Sequence, residues 1–305
     1  MDPLETVIFE KDSTFIMMLA AYSRGHEIYY LPEDGISLIE GKAYFHVTKV
    51  IPQNNISSPF KKELTTRLSQ DDIHAVFIRP DPPFDEQYLM NTWALDHLPK
   101  HIAVINSPTG IRTVNEKVWV ARFKNITPAT VISANQKDLL DFIAKHKNVI
   151  AKPTNAFGGK NVFHIENGST NTKVILETLT DCYNKAIVMQ KYVPEAKKGD
   201  KRILLLNGNI LGAMLRMHGE GEHRNNLFAG GTPMPAKITA NDKKIVGVLK
   251  PHLQKLGLYL VGIDILGDYL IEVNVTSPTC LQEINRLYDM KLEEKIIDFV
   301  EKLVK

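Results

Sequence analysis

Residues 261–274 read Val-Gly-Ile-Asp-Ile-Leu-Gly-Asp-Tyr-Leu-Ile-Glu-Val-Asn. Apolar residues alternating with polar ones on both sides of Gly267-Asp268 mark a β-hairpin. Side chains alternate faces along a strand, so a one-residue change of register moves a whole set to the other face. A two-residue turn at Gly267-Asp268 pairs Leu266 with Tyr269 and mixes charge with apolar groups on both faces. A three-residue turn over 266–268 pairs Ile265 with Tyr269. It places Val261, Ile263, Ile265, Tyr269, Ile271 and Val273 on one face and gathers Asp264, Glu272 and Asn274 on the other. The three-residue register is expected. Two carboxylates and an amide carbonyl on one face suit a hard cation such as magnesium, which takes oxygen ligands and keeps sites for water and substrate phosphates. A carboxylate pair solvated on an open sheet face gives the same pattern, so these residues leave both readings open.

Upstream, Asn207-Gly208 joins two apolar runs, 203–206 and 210–216, into a second hairpin. A helix over 242–256 separates the hairpins, and one or two helices close the chain. The first third alternates strands (27–31, 74–79, 102–105) with helices, one capped by Asp12-Ser13 and one through Tyr88 and Leu95. That alternation predicts a mostly parallel sheet. A second unit starts near Asn115. It predicts helices around 117–123, after Asn135 and over 174–183, with strands at 130–132, 149–152, 162–165 and 186–192. The fold class is α/β.

The 305 residues carry 37 basic and 35 acidic side chains, a formal charge of +2, which gives no reason to expect a nucleic-acid partner. Cys182 and Cys280 cannot build a disulfide framework and read as packing residues, which points to a reducing, cytoplasmic compartment. The start lacks a basic segment followed by an apolar run, so no signal peptide is expected, and no apolar stretch is long enough for a membrane. Walker A, Gly-x-Gly-x-x-Gly, zinc-protease and nucleophile-elbow motifs are absent. His218 and His223 lack cysteine partners and read as loop residues rather than a zinc site.

The basic residues fall at element ends. Lys117 follows Asn115-Glu116 at a helix start. Lys152 ends a strand just before a loop holding Gly158 and Gly159, where glycine lets backbone N–H groups approach phosphates closely. Arg202 opens one strand of the Asn207-Gly208 hairpin and Arg216 ends the other. Arg224 lies in the polar loop beyond. Arginine binds phosphate or carboxylate with two parallel hydrogen bonds.

Taken in order, these segments resemble the bacterial-type glutathione synthetases. The resemblance rests on Lys11-Asp12-Ser13, Asp81-Pro82-Pro83-Phe84-Asp85, Asn115-Glu116-Lys117, Gly199-Asp200-Lys201-Arg202, residues 224–231, Gly262-Ile263-Asp264, and the run from Glu272 to Cys280. It implies an ATP-grasp fold of α/β (α+β) type with three domains: a preATP-grasp substrate domain over 1–112, a lid domain over 113–192 and a catalytic domain over 193–305. It also implies that ATP, a co-substrate, phosphorylates the carboxylate of γ-glutamylcysteine. Glycine then displaces phosphate to give glutathione.

Carried over residue by residue, the resemblance implies that Asp264, Glu272 and Asn274 hold Mg2+, or Mn2+ in its place. Lys117, Lys152, Gly158 and Gly159 contact ATP, Gln190, Lys191, Tyr192 and Val193 read adenine, and Asp200 meets ribose. Arg202, Arg216, Arg224 and Asn226 serve the reacting groups. Ser13, Arg79, Asp81, Ser277, Pro278 and Thr279 face the dipeptide or glycine. A homotetramer working on small molecules is implied. The alternatives are another ligase of this fold with a different amine acceptor, and an ATP-binding regulator that releases no ADP. The chain departs from the family pattern at Pro80, where a lysine is usual, and at Thr154-Asn155-Ala156-Phe157. Family members also carry a strand ahead of the Met-Asp-Pro that opens this sequence, so an open edge in the first sheet is expected unless 7–9 fills it.

Overall fold

The computed structural model describes residues 1–219 and 230–304. Strands β1 (Ile28–Tyr30), β2 (Ile36–Ile39), β3 (Lys42–Pro52) and β4 (Phe60–Ser69) form an antiparallel sheet in which the long β3 pairs with the other three. Only β5 (Ala75–Phe77) and β6 (Ala103–Ile105), among the described strands, run parallel. The mostly parallel sheet expected from strand–helix alternation is therefore not what forms. The strands over 36–69 carry no alternation with helices at all, and their antiparallel meander dominates the first third. Residues 7–9 join no sheet. Helix α1 (Ser13–Ser23) starts where the Asp12 carboxylate accepts from the Phe15 N–H, as its sequence predicts. Helices α2 (Glu86–Leu95) and α3 (Pro108–Thr113) complete this region.

The second unit contains β7 (Thr130–Ser133), α4 (Gln136–His146), β8 (Asn148–Pro153), β9 (Phe163–Glu166), α5 (Thr172–Thr180) and β10 (Ile187–Lys191). The predicted helix around 117–123 is only a short 3-10 turn, Trp119–Arg122, held by the burial of Trp119 and Val120. The strands form an antiparallel sheet in the order β7-β10-β8-β9. Val149, Ala151, Ile187 and Met189 pack under Leu139, Ile143 and Leu176 of the two helices. By strand alternation the opposite face presents Ile150, Lys152 and Gln190 to a cleft.

A third, five-stranded antiparallel sheet has the order β13-β12-β11-β14-β15. It contains β11 (Asp200–Leu206), β12 (Asn209–Met217), β13 (Thr232–Pro235), β14 (Leu260–Leu266) and β15 (Tyr269–Asn274). The β11–β12 turn has Asn207 at φ 50° and Gly208 at φ 73°, the left-handed pair that an Asn-Gly hairpin turn uses. Helix α6 (Ala240–Lys255) covers one face, where Ile245, Leu249 and Leu253 meet Ile203, Val261 and Ile263. Its start is a capping box in which Thr239 and Asp242 bond each other's backbone N–H groups, at 3.1 and 2.7 Å. Helices α7 (Leu281–Tyr288) and α8 (Leu292–Val304) cover the other face against Leu204, Met214 and Leu260. Asn106 ties the first unit to this sheet. It donates to the carbonyls of Leu260 and Val275, both at 2.7 Å, and accepts from the Leu260 N–H at 2.8 Å. Among the described residues, no helix is long and apolar enough to cross a membrane.

The β14–β15 register corrects the sequence expectation. Leu266 pairs with Tyr269 and Ile265 with Leu270, so the turn has two residues. A β-bulge then skips Ile271, and Asp264 pairs with Glu272, Ile263 with Val273 and Gly262 with Asn274. The bulge adds the one residue that the turn lacks, so Asp264, Glu272 and Asn274 still share a face. The apolar set changes: Leu270 is fully buried with Ile265 and Val273, while Tyr269 is 41% exposed and Ile271 faces the cleft.

Candidate active site

Alternation along the third sheet also builds its charged end. On β11, Leu204 packs under α7 and α8, and Arg202 and Asp200 follow it on the same face. Arg202 is the cross-strand partner of Asp264, and Asp200 that of Arg216. Arg202 holds both Asp264 oxygens, Nε at 2.5 Å from Oδ1 and Nη2 at 3.0 Å from Oδ2. Arg216 reaches Asp264 Oδ2 at 3.0 Å, and its Nε lies 3.0 Å from Asp200 Oδ1 while Nη2 bonds Oδ2. All four side chains are buried. Burial alone would push Asp264 up, but the two guanidiniums more than offset that and hold it well below the usual carboxylate range. The open, solvated face is therefore not what forms; the carboxylate is enclosed and paired.

Two glycines make this packing fit. A Cβ on Gly262 would lie 3.2 Å from Arg202 Nη1, and one on Gly199, at φ 91°, would lie 2.5 Å from the Arg216 carbonyl.

Across the cleft, Lys152 Nζ sits 3.1 Å from Glu272 Oε1, and Lys117 Nζ donates to the Ala156 carbonyl at 2.5 Å. Burial lowers the Lys152 ammonium, with Glu272 opposing that shift. Burial likewise pushes Glu272 up, and the charges of Lys117 and Lys152 overcome it to leave the group lowered. Glu116 lies beside this set and accepts from the Thr276 hydroxyl at 3.0 Å. Burial raises its carboxyl, with Glu272 adding to the shift.

Two cavities adjoin here. The smaller, about 130 Å³, lies between the second and third sheets. Every residue expected to meet ATP lines it: Lys117, Lys152, Gly158, Gly159, Gln190, Lys191, Tyr192, Val193 and Asp200. Ile150, Val162, Leu266 and Ile271 add an apolar lining that the sequence reading did not single out. The larger cavity, about 320 Å³, is lined by Ser13, Arg79, Asp81, Ser277 and Thr279, together with Arg202 and Asn274. Pro278 does not line it but contributes its carbonyl, which accepts from Arg79 Nη2 at 3.0 Å. Arg216, Glu272, Phe157 and Gly158 line both cavities and so mark the place where they meet. Lys11, Glu116, Cys280 and Glu283 also line the larger cavity, and sequence reasoning gave them no part in the site. Arg224, Asn226 and His223 lie outside the described residues. His218 bonds the neighbouring Gly219 carbonyl at 2.9 Å.

Among the described residues, no three His, Cys, Asp or Glu side chains cluster to hold a metal alone. Asp264, Glu272 and Asn274 fit a different arrangement, an all-oxygen half-shell completed by water and phosphate. Asn274 Nδ2 points to Gly262 O at 3.3 Å and Asp264 Oδ2 at 3.5 Å, which leaves its carbonyl oxygen for the cavity.

The family model for the prokaryotic glutathione synthetase N-terminal domain matches residues 1–112, and that for the prokaryotic glutathione synthetase ATP-grasp domain matches 116–289. The glutathione synthetase of Vibrio cholerae is 39% identical over 310 residues, covering 100% of this chain and 96% of the relative. That of Pseudomonas aeruginosa is 36% identical over 302 residues, covering 98% and 95%. Among solved structures, the ATP-grasp ligase PsnB complexed with a precursor variant, Mg and ADP superposes with a TM-score of 0.62 at 14% identity, covering 96% of this chain and 95% of that one. The macrocyclase MdnB from Microcystis aeruginosa superposes at 0.61 and 14%, covering 96% and 95%, and supports the shared fold alone. The chain belongs to the prokaryotic glutathione synthetase family.

Proposed function

We propose that the protein is an ATP-dependent ligase that joins γ-glutamylcysteine to glycine, releasing ADP and phosphate. The observation that carries this reading is the junction of the two cavities at Arg216 and Glu272. A nucleotide in the smaller cavity would direct its terminal phosphate there, toward a carboxylate held in the larger one. A carboxylate is a poor acylating agent, and its acyl phosphate has a good leaving group. Phosphoryl transfer places negative charge on equatorial oxygens, which fixed positive groups stabilise. Arg202 and Arg216 would serve the transferring phosphoryl group and the acyl phosphate, with Lys117 and Lys152 on the nucleotide side.

In the free site Lys152, Arg202 and Arg216 are paired with Glu272, Asp264 and Asp200, so the ligands enter a prearranged but largely neutralised field. Magnesium, held by Asp264, Glu272 and Asn274, would supply further charge neutralisation. The N–H groups of Lys191 and Tyr192 are spent on the Ala129 and Asn148 carbonyls. Adenine reading therefore falls to the Val193 N–H and to backbone carbonyls of this strand end, above Ile150, Leu266 and Ile271. Asp200, at the cavity edge, would meet the ribose, and Ser13, Arg79, Asp81, Ser277 and Thr279 the peptide substrate or glycine. The units 1–112, 113–192 and 193–305 are the substrate, lid and catalytic domains of this reading, and its homotetramer is checked by light scattering.

The test is ADP release with Mg-ATP and γ-glutamylcysteine, with and without glycine. Release that needs both substrates and matches glutathione formed supports the proposal. Release with another amine but not with glycine would replace the acceptor.

A further inference from the structure

Two buried charged side chains at the larger cavity each leave one polar atom without a hydrogen-bond partner among the described residues. Glu283, in the first turn of α7, is 5% exposed, and its Oε2 has no hydrogen-bond partner among the described residues. Its other oxygen lies 4.0 Å from the half-exposed Arg286, too far for a hydrogen bond. Arg79 is 3% exposed. Its Nε and Nη2 are bound to Thr14 and Pro278, both at 3.0 Å, but Nη1 has no partner among the described residues. An unpaired buried carboxylate or guanidinium is costly, so such groups in a cavity wall mark where a ligand supplies the missing partner. Burial also pushes the Glu283 carboxyl up, as expected for a carboxylate waiting for a cation.

An unpaired carboxylate oxygen and an unpaired guanidinium nitrogen on residues of one cavity wall match the two ends of an amino-acid zwitterion. Both substrates of the proposed reaction carry one: the γ-glutamyl end of the dipeptide, and glycine. We infer that Glu283 Oε2 receives a substrate ammonium group while Arg79 Nη1 receives the carboxylate of the same amino-acid head. Glu283 is thus a binding and specificity residue of the larger cavity. The inference rests on the ligase reading above and adds to it a residue that the motifs leave out.

The experiment compares the wild-type chain with Glu283→Gln, which keeps the shape and removes the charge. Glutathione formation is followed with varied γ-glutamylcysteine, glycine and ATP. Glutarylcysteine, which lacks the γ-glutamyl amine, serves as the donor control. If the donor amine sits on Glu283, wild type prefers γ-glutamylcysteine over glutarylcysteine by tenfold or more in kcat/KM, and Glu283→Gln collapses that preference while KM for glycine and ATP stays within twofold. If the glycine amine sits there, KM for glycine rises tenfold or more and the donor preference survives. Either result supports the inference. Unchanged KM for both substrates overturns it, and so does a parallel rise in all three KM values with a lowered Tm, which marks a structural role. Glu283→Asp, which keeps the charge, is measured alongside and should lie between the two; it stands in if the glutamine variant fails to fold. A wild type that makes no glutathione would sink the ligase reading itself, whereas an active wild type with an indifferent Glu283→Gln sinks only this assignment.

Discussion

Arg202 and Asp264 stand directly opposite each other on neighbouring strands, and the guanidinium grips both carboxylate oxygens, at 2.5 and 3.0 Å. Arg216 holds the same carboxylate from one strand further on, at 3.0 Å. Asp264 is therefore the hub of the positive cluster as well as a proposed metal ligand.

Asp264→Asn should cost stability as well as activity. Removing one partner of a buried, hydrogen-bonded ion pair typically costs about 3–5 kcal/mol. The pH dependence has a definite sign. A carboxyl lowered in the folded state stabilises the fold above its unfolded pKa of about 4, and that contribution is lost as pH falls through the folded pKa. Urea unfolding of wild type and variant should differ most at pH 7, with the gap smaller by about 1 kcal/mol at pH 3. An equal gap at both values would show that the charge is not its source.

Arg216→Lys keeps the charge but loses the fork that spans Asp200 and Asp264. Steady-state kinetics should show kcat lowered by about 100-fold, the scale seen when one fixed donor to a developing charge is lost. Wild-type kcat would remove Arg216 from the phosphoryl site.

Glu272→Gln should abolish most turnover and raise the magnesium concentration needed for what remains. The fold should survive at a cost of about 1–3 kcal/mol, since Lys152, 4% exposed, loses its charged partner. The check is a magnesium titration of activity beside a thermal melt. Normal activity at limiting magnesium would refute the metal assignment.

The two thiols should react very differently. Cys182 is exposed, whereas Cys280 is 3% exposed and burial pushes its thiol up. A chromogenic disulfide reagent at neutral pH should modify one thiol per native chain, and two in denaturant. Rapid native modification of both would show that the larger cavity opens further than this geometry does.

The sequence made the parts legible where a local rule acts. Asn207-Gly208 required left-handed backbone, and a hairpin follows. Strand period two placed Asp264, Glu272 and Asn274 on one face once one extra residue was allowed between the two strands. It could not tell a longer turn from a shorter turn plus a bulge, because both add one residue. The meander over 36–69 was missed for another reason. On β4, residues 61–65 are exposed in succession, so the strand has no apolar alternation to read. Glu283 lies outside every motif, and Glu116, though inside Asn115-Glu116-Lys117, was given no site role, because neither spacing nor motif announces a buried carboxylate; only packing against the larger cavity and against Thr276 does.

The residue expelled at the bulge has its own use. With Ile271 out of the ladder, the adjacent residues Ile271 and Glu272 both face the nucleotide-side cavity, while Leu270 and Val273 on either side of them go to the core. Carboxylate, cavity floor and core anchor are thus cut from one piece of chain. Trimming the irregularity to tidy the hairpin would swap them: Glu272 and Asn274 would turn toward helix α6, away from Asp264, and Val273 would turn into the cleft.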